Sequence, residues 1–258
     1  MAGVDSLAAR KALIFSAGGV RLALRVSQLR EIVAVDSAQG EVFARGEVLP
    51  TAFVSTVLGL PAGPSPYALL TEGTPRAALR VEALHGIVDL GGAEVFQLPA
   101  RTQLPQPPPF AGAIVSGGEV ALELAVSALG FAPLEPALEH LAPPADVEGG
   151  ERELRFARGG QAFAVPLSLL VQVLESPRVA SVPLTPPSHV GLLYHGRALH
   201  PVLDVAVLYG EPPGTPVRQV LLLDAGGAGV AVAADRVLAA GEGRGELRRP
   251  PWDAVFAT

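Results

Sequence analysis

Residues 15–33 read FSAGGVRLALRVSQLREIV, and residues 156–174 read FARGGQAFAVPLSLLVQVL. The two stretches align without a gap at a constant offset of 141 residues. Both carry a phenylalanine, a Gly-Gly pair, an alternating apolar segment and a serine in the same order. A Gly-Gly pair between alternating segments indicates a tight hairpin, and a period of two indicates strands with one buried face. The sequence therefore predicts the same antiparallel hairpin twice.

Two further blocks recur downstream in the same order. The first pairs Gly40, Pro50 and Gly59 with Gly191, Pro201 and Gly210 at an offset of 151, and the second pairs residues 81–84 with 234–237 at an offset of 153. A repeat this long is a duplicated domain, because solenoid repeats are several times shorter. The slowly growing offset places the length changes in the loops between blocks.

The composition agrees with two compact domains in 258 residues. We expect a tail at 1–10, a first domain at 11–132, a linker at 133–151 and a second domain at 152–258. Hydrophobic residues make up 49% of the chain, which is enough to fill two cores. The 29 glycines and 25 prolines favour short strands joined by turns, so we expect an all-β fold.

Composition also argues against several functions. The net charge of −6 disfavours a nucleic-acid partner, because phosphate contacts need clustered cations. The absence of cysteine excludes disulfides and thiolate chemistry, and the single lysine, Lys11, precedes the first strand, unlike the lysine of a kinase. His189, His195 and His200 lack the i, i+4 spacing of a helical metal site. We therefore expect no metal, no cofactor and no enzymatic activity.

Targeting signals are not evident in the sequence. The first 15 residues, MAGVDSLAARKALIF, have no continuous apolar core, so no secretory signal is expected. The longest uncharged stretch, residues 48–71, contains four prolines, which would break a membrane-spanning helix. We expect a cytoplasmic protein that does not insert into a membrane.

Alternation and turn residues predict the strands. In the first domain we expect a strand at 12–16, a second strand with Leu22, Leu24 and Val26 on one face, and a closing hairpin at 110–130. In the second domain we expect strands at 153–157, 162–166, 217–224 and 230–233, with residues 220–223 buried on both faces.

One short helix is predicted in each domain. In the second domain Asp204 precedes five apolar or aromatic residues and Gly210 follows them, which is the pattern of an N-cap and a C-cap. The loss of such a cap costs about 0.5–2 kcal/mol. In the first domain Phe53 stands at the place of Asp204, and Ser55 is the alternative cap. A third short helix is compatible with residues 134–141.

Four features together carry a resemblance to a known family. They are the opening hairpin, the run Leu199-His200-Pro201-Val202-Leu203-Asp204 with the later Gly210, the strand end Ala234-Asp235-Arg236-Val237, and the hairpin at 110–130. Their order and spacing resemble the chemotaxis coupling protein family, the CheW-like domains. The resemblance covers nearly all of both domains.

The resemblance implies tandem CheW-like domains, each of two intertwined five-stranded antiparallel barrels with few short helices. It implies a non-catalytic adaptor that binds a chemoreceptor tip, a histidine kinase regulatory domain or another signalling protein. Partner contacts are expected from Glu31, Ile32, Arg45 and, in the second domain, Arg197. From the residues alone, a core position is the simpler interpretation of Ile32, a helix cap of Asp204, and a turn brace of Asp235.

The chain departs from the family pattern at Phe53 and Glu82, where the family has aspartate, at the reversed motif Gly196-Arg197, and in length at two places. From Val33 to Gly40 the first domain spans 7 residues, where the second spans 17 from Leu174 to Gly191. The second domain also stops without a counterpart of the 110–130 hairpin, so we expect it to be C-terminally shortened.

A shortened barrel leaves an unpaired strand edge. We expect residues 254–256 to supply one short closing strand, and the first domain, the linker, a second copy or a partner to cover the rest. Self-association is therefore among the expected interactions. The departures leave an alternative partner open, such as a response regulator or a polarity small GTPase.

Overall fold

The computed structural model describes residues 10–36, 41–44, 46–72, 76–138, 146–148, 152–212, 216–224, 229–239 and 246–257, with the backbone alone at 254 and 257. The chain forms two units. Of the described residues, unit 1 contains those up to Leu98, then Leu104–Ala137 and Val182–Leu184. Unit 2 contains Pro99–Gln103, the residues from Leu138 to Ser181, and those from Thr185 onwards.

Unit 1 is built almost entirely from short strands. They are β1 (Lys11–Ala17), β2 (Val20–Arg25), β3 (Leu29–Ala34), β4 (Val42–Ala44), β5 (Glu47–Leu49), β6 (Thr51–Phe53), β7 (Tyr67–Thr71), β8 (Ala78–Val81), β9 (Ala83–Asp89), β10 (Glu94–Phe96), β11 (Phe110–Ser116) and β12 (Glu119–Leu124). One helix, α1 (Val54–Val57), follows β6, and single 3-10 turns cover Val26–Gln28 and Val126–Ala128.

The strands of unit 1 form two sheets and a ribbon. The larger sheet has the order β10-β11-β12-β2-β1-β9, and the smaller has the order β3-β7-β8-β6. Strands β4 and β5 form a two-stranded ribbon. Neighbours are antiparallel except for two pairs, β12 with β2 and β6 with β8.

Unit 2 has a similar set of short strands, with two short helices. Its strands are β13 (Glu153–Arg158), β14 (Gln161–Pro166), β15 (Leu170–Glu175), β16 (Val179–Ala180), β17 (His189–His195), β18 (Ala198–Leu203), β19 (Gln219–Asp224), β20 (Gly229–Ala234), β21 (Arg236–Leu238) and β22 (Leu247–Arg248). Its helices are α2 (Val205–Leu208) and α3 (Trp252–Ala257).

The sheets of unit 2 have the orders β21-β13-β14-β22 and β15-β19-β20-β18-β17-β16. In the first sheet β21, β13, β14 and β22 stand where β9, β1, β2 and β12 stand in unit 1. The described residues of unit 2 contain no counterpart of β10 and β11. The C-terminal shortening of the second domain stays a prediction.

The gap-free repeat in the sequence corresponds to the same strand register in both units. Ala12 pairs with Arg25, and Glu153 pairs with Pro166, so both partners shift by 141 residues. The same shift holds for every pair of the two hairpins up to the turn. Both turns need two glycines, because both positions have positive φ: +57° and +77° in unit 1, and +60° and +84° in unit 2.

The predicted burial is confirmed with one exception. Leu22, Leu24, Phe163 and Val165 are all fully buried. The prediction that Val26 lies in the strand is wrong. Strand β2 ends at Arg25 and a 3-10 turn begins, in which Val26 is only half-buried. The predicted central strand is confirmed, since all four residues from Val220 to Leu223 are buried in β19 between two neighbours.

The two predicted short helices exist, but only one has the expected cap. Asp204 accepts a hydrogen bond from the Ala206 N–H at 3.1 Å and caps α2. In unit 1 the N-cap is Phe53, which has no side-chain acceptor, and Ser55 lies inside α1. Ser55 as a cap is therefore wrong. Residues 134–138 are not helical, and the rest of the third predicted helix lies outside the described residues.

The C-terminus is a helix instead of the predicted closing strand at 254–256. Helix α3 inserts Trp252, Val255 and Phe256 into the core of unit 2. The Trp252 indole N–H donates to the Ala164 carbonyl oxygen at 3.0 Å, and the ring lies 6.5 Å from that of Phe156. A run of three apolar residues is too short to separate strand from helix by its period, which explains the wrong prediction.

The linker covers part of the shortened edge. Asp146 accepts hydrogen bonds from the Arg249 N–H at 2.9 Å and the Tyr209 hydroxyl at 2.8 Å, and pairs with Arg248 at 3.3 Å. The Val147 N–H donates to the Arg249 carbonyl at 2.9 Å. Burial opposes ionisation of Asp146, but these hydrogen bonds outweigh it and lower its pKa. Among the expected ways of covering the edge, the linker is thus one that the structure shows. The division of each domain into two five-stranded barrels stays a prediction.

We expect Trp252→Ala to lower the free energy of unfolding by about 3–5 kcal/mol, because it removes a large buried side chain and leaves a cavity. Urea unfolding followed by circular dichroism measures the loss. Phe131→Ala is the matched control, since Phe131 is 50% exposed, and it should cost well under 1 kcal/mol. Equal costs for the two variants would show that α3 is not part of the core.

Candidate functional site

The predicted contact residues Glu31 and Ile32 lie side by side on an edge strand. Strand β3 pairs only with β7 among the described residues, in the register Glu31 to Leu70 and Ile32 to Leu69. Exposure alternates along β3, so Glu31 is half-buried and Ile32 is 38% exposed. The expectation that Ile32 lies in the core is wrong, because the alternation turns it outward.

The two predicted arginines do not share this strand. Arg45 lies outside the described residues. Arg197 belongs to unit 2, where it follows Gly196 in the tight turn between β17 and β18. Both turn residues have positive φ, +58° for Gly196 and +63° for Arg197, which is unusual for a residue with a side chain. Arg197 is exposed, and its backbone position is set by the turn.

A buried ion cluster forms around Arg158, the last residue of β13 in the repeated hairpin of unit 2. Arg158, only 1% exposed, donates from Nε to Asp204 Oδ2 at 2.8 Å and from Nη2 to the same oxygen at 2.7 Å. Its Nη1 donates to Asp235 Oδ1 at 2.9 Å, and Asp235 Oδ2 accepts from the Gly159 N–H at 3.0 Å. Burial disfavours the charged guanidinium, but the two carboxylates outweigh burial and raise the pKa of Arg158.

Asp204 and Asp235 both have structural roles in this cluster. Asp204 divides its oxygens between the helix N-terminus and Arg158. Asp235 holds the Gly-Gly turn to the end of β20, which confirms its interpretation as a turn brace. Because both carboxylates pair with Arg158 inside the unit, we assign the cluster a structural role.

The ion cluster is not repeated in unit 1. The repeat places Ala17, Phe53 and Glu82 where unit 2 has Arg158, Asp204 and Asp235. Unit 1 buries a different arginine, Arg80, which stands at the position of Ala233 and has its guanidinium 5.1 Å from the centre of the Phe53 ring. Arg80 donates to the Ser65 carbonyl from Nε at 2.9 Å and from Nη2 at 2.6 Å.

Arg158 is the residue that the sequence reasoning missed. Its partners lie 46 and 77 residues away along the chain, so no local pattern reveals them. A comparison of the two copies of the repeat could have revealed the cluster. An arginine replaces Ala17 directly before the turn glycines, and both aspartates occur in the copy that has the arginine and are absent from the other.

Unit 2 also contains a small polar cavity. Its lining includes Arg101, Gln103 and His189, and Arg101 Nη1, Gln103 Oε1 and both His189 ring nitrogens have no hydrogen-bond partner among the described residues. The cavity has room for about one water molecule, which is too little for a metabolite. Burial lowers the pKa of His189 to about 4, because the imidazolium would lose its hydration.

Two of the three histidines singled out above lie close to polar atoms of the protein. His195 Nε2 lies 3.2 Å from Gln172 Oε1, and His200 Nε2 lies 3.2 Å from the His195 carbonyl oxygen. Within the part of the chain that the structure describes, no group of three histidine or carboxylate side chains could hold a metal ion. No helix in the same residues is long and apolar enough to cross a membrane.

We expect Asp204→Ala to lower the free energy of unfolding by about 3–5 kcal/mol, because it leaves Arg158 buried beside an incomplete counter-charge. This exceeds the cost of a lost cap alone. A double-mutant cycle with Arg158→Met, measured by urea unfolding, separates the two contributions.

The cycle has a clear expected sign. The double variant should be less destabilised than the sum of the two single variants, since removing both charges leaves no unpaired ion. Strict additivity, together with a cost below about 2 kcal/mol for Asp204→Ala, would assign Asp204 to the cap alone.

Because His189 is buried and neutral, we predict that the free energy of unfolding falls in acid. Its folded-state pKa of about 4 lies below the ordinary value of 6.5, so the stabilisation is complete above pH 6.5 and is lost as the pH falls toward 4. The full loss is roughly 3 kcal/mol. The His189→Leu variant should show a flatter decline than wild type in urea unfolding across this window. The exposed His85→Leu is the control and should decline like wild type. Parallel declines for all three proteins would contradict the assignment.

Comparison with known proteins identifies the family of the chain. The family model described as CheW-like domain matches residues 11–130 and 153–243. The crystal structure of the scaffolding protein TtCheW from Thermoanaerobacter tengcongensis is similar at 15% identity and a TM-score of 0.39, over 45% of this chain and 88% of that one. The comparison with curated proteins gave no match. The family model matches most of both units, and the chain therefore belongs to the family of CheW-like domains, of which it carries two.

Proposed function

We propose that this protein is a non-catalytic adaptor that binds signalling proteins of a chemosensory system. The partners we propose are a chemoreceptor tip and the regulatory domain of a histidine kinase. The observation that carries the proposal is the edge strand β3 of a CheW-like domain, with Ile32 turned to solvent and Glu31 beside it.

An edge strand suits protein binding for two reasons. Its outer N–H and C=O groups are available to a partner backbone, and an exposed isoleucine supplies apolar area that gains free energy on burial. A half-buried carboxylate next to it favours partners with a matching cation. The exposed Arg197 in the turn of unit 2 is proposed as a second charged contact, and Arg45 as a third.

Duplication gives the adaptor a second edge. Strand β15 stands in unit 2 where β3 stands in unit 1, at the edge of its sheet and with a register shift at the same place. Its side chains differ, because Gln172 replaces Glu31 and Val171, which is 60% exposed, replaces Arg30. Two edges with different charge and apolar area fit two different partners, which is what an adaptor requires.

The experiment measures binding of the full chain to purified receptor tip and kinase regulatory domain from the same organism. Ile32→Lys should weaken binding to at least one of them by about tenfold or more, because it removes the apolar anchor. Isothermal calorimetry gives the dissociation constants.

Ile87→Lys is the matched control. Ile87 lies on β9, is 58% exposed, and pairs with Leu13 at the edge of the other sheet of unit 1. It should bind like wild type. A wild-type protein that binds neither domain would refute the chemosensory role and favour a response regulator or small GTPase, and equal losses in both variants would refute the site.

A further inference from the structure

The two units differ at the strand that follows the β3 or β15 edge in sequence. In unit 2, β17 pairs with β18 on one side and with β16 on the other. In unit 1 the counterpart of β17 is β4, since Val42 pairs with Leu49 as Leu193 pairs with His200, at an offset of 151 for both partners. Among the described residues, β4 pairs with β5 alone.

Strand β16 covers its edge closely. Val179 pairs with Leu193 and Ala180 pairs with Leu192. A Cβ atom at Gly191, where φ is +154°, would lie 2.2 Å from the Ala180 carbonyl oxygen, so the close approach needs glycine at that position. Strand β16 belongs to the stretch between β15 and β17 that is about ten residues longer than its counterpart in unit 1. The connection in unit 1 is shorter by about the length of this segment, and none of its described residues pairs with β4.

The ribbon of β4 and β5 also exposes a large apolar pair. Phe43 and Val48 lie directly opposite each other and are 70% and 57% exposed. The other face of the ribbon is anchored, because Val42 and Leu49 pack in a buried cluster with Leu70. In unit 2 the counterparts of the exposed pair, Tyr194 and Leu199, are half-buried.

We propose that the edge of β4 with which no other described strand pairs binds an extended segment of a partner protein, which adds a strand where unit 2 supplies its own β16. This rests on the proposed adaptor function and specifies the chemistry of one partner segment. Backbone hydrogen bonds to β4 provide the attachment, and the exposed pair Phe43 and Val48 selects the side chains.

The template for the bound segment is β16 and the residue before it. The register of unit 2 places Val179 opposite the position of Val42, and Arg178 opposite the position of Phe43. A basic side chain there lays its aliphatic stem and its cation on the aromatic ring. The exposed carboxylates of Glu41 and of Glu47, which lies 3.9 Å from Arg76, are at opposite ends of the ribbon and add a preference for cations. The partner segment is thus short and extended, with a basic residue followed by small apolar residues.

The test uses the full chain, labelled with 15N, and a blocked peptide with the sequence of residues 176–183, SPRVASVP. We expect saturable chemical-shift changes at residues 42–44. The double variant Phe43→Ser/Val48→Ser should weaken peptide binding at least tenfold, and Ile87→Ser should leave it unchanged. Both variants change exposed side chains, and thermal unfolding verifies that they fold.

Three results would overturn the proposal. They are the absence of shifts at millimolar peptide, shifts that map outside the ribbon, and equal effects of the two variants. A fourth is self-association: if dilution of the protein alone changes the shifts of residues 42–44, a second copy occupies the edge. The two proposals are tested separately. If the peptide does not bind at β4, the Ile32→Lys experiment still tests binding at β3. If neither the receptor tip nor the kinase domain binds, the peptide experiment at β4 is unaffected.

Discussion

The antiparallel register of the repeated hairpin is the constraint on which both units depend. Two consecutive glycines with positive φ close each turn, and a side chain at either position would be strained. Because side chains alternate along a strand, a slip of one residue would turn Phe15 or Phe156 from the core to solvent. The duplicated chain has kept this register at every pair of both hairpins. The shared register is what makes a comparison of the two units residue by residue physically meaningful.

The comparison shows that each unit buries an arginine, but at different positions of the repeat. Unit 2 buries Arg158 between two carboxylates, and unit 1 buries Arg80 against the Phe53 ring and the Ser65 carbonyl. Either arrangement satisfies a guanidinium that would be costly to bury alone. Loss of one carboxylate would leave Arg158 incompletely paired, so the members of its cluster depend on one another. Unit 1 has Ala17 at the position of Arg158, and therefore has no guanidinium there that requires an aspartate at the position of Phe53.

Sequence reasoning succeeded where a local pattern decides the structure. The alternation of β1 and β2 and the Asp204 cap depend on neighbours in the chain, and they were predicted correctly. It failed where position in the sheet or distant partners decide. Ile32 has the hydrophobicity of a core residue, but an edge strand turns it to solvent. The C-terminal Trp252 helix is set by packing on residues about 90 positions earlier, such as Ala164, and the apolar run alone cannot specify it.

The two departures in length from the family pattern have opposite physical consequences. The described residues of unit 2 contain no counterpart of β10 and β11, but Asp146 and Val147 hydrogen-bond to the chain after β22, and α3 packs in the core of the unit. Residues of the same unit therefore pack next to β22. The connection before β4 in unit 1 is about ten residues shorter than the one that holds β16 in unit 2, and no other described strand than β5 pairs with β4. An unpaired edge costs little in water and gains free energy when a partner pairs with it. If a partner strand pairs with β4 as proposed, the exposed Phe43 and Val48 beside that edge gain most from being covered.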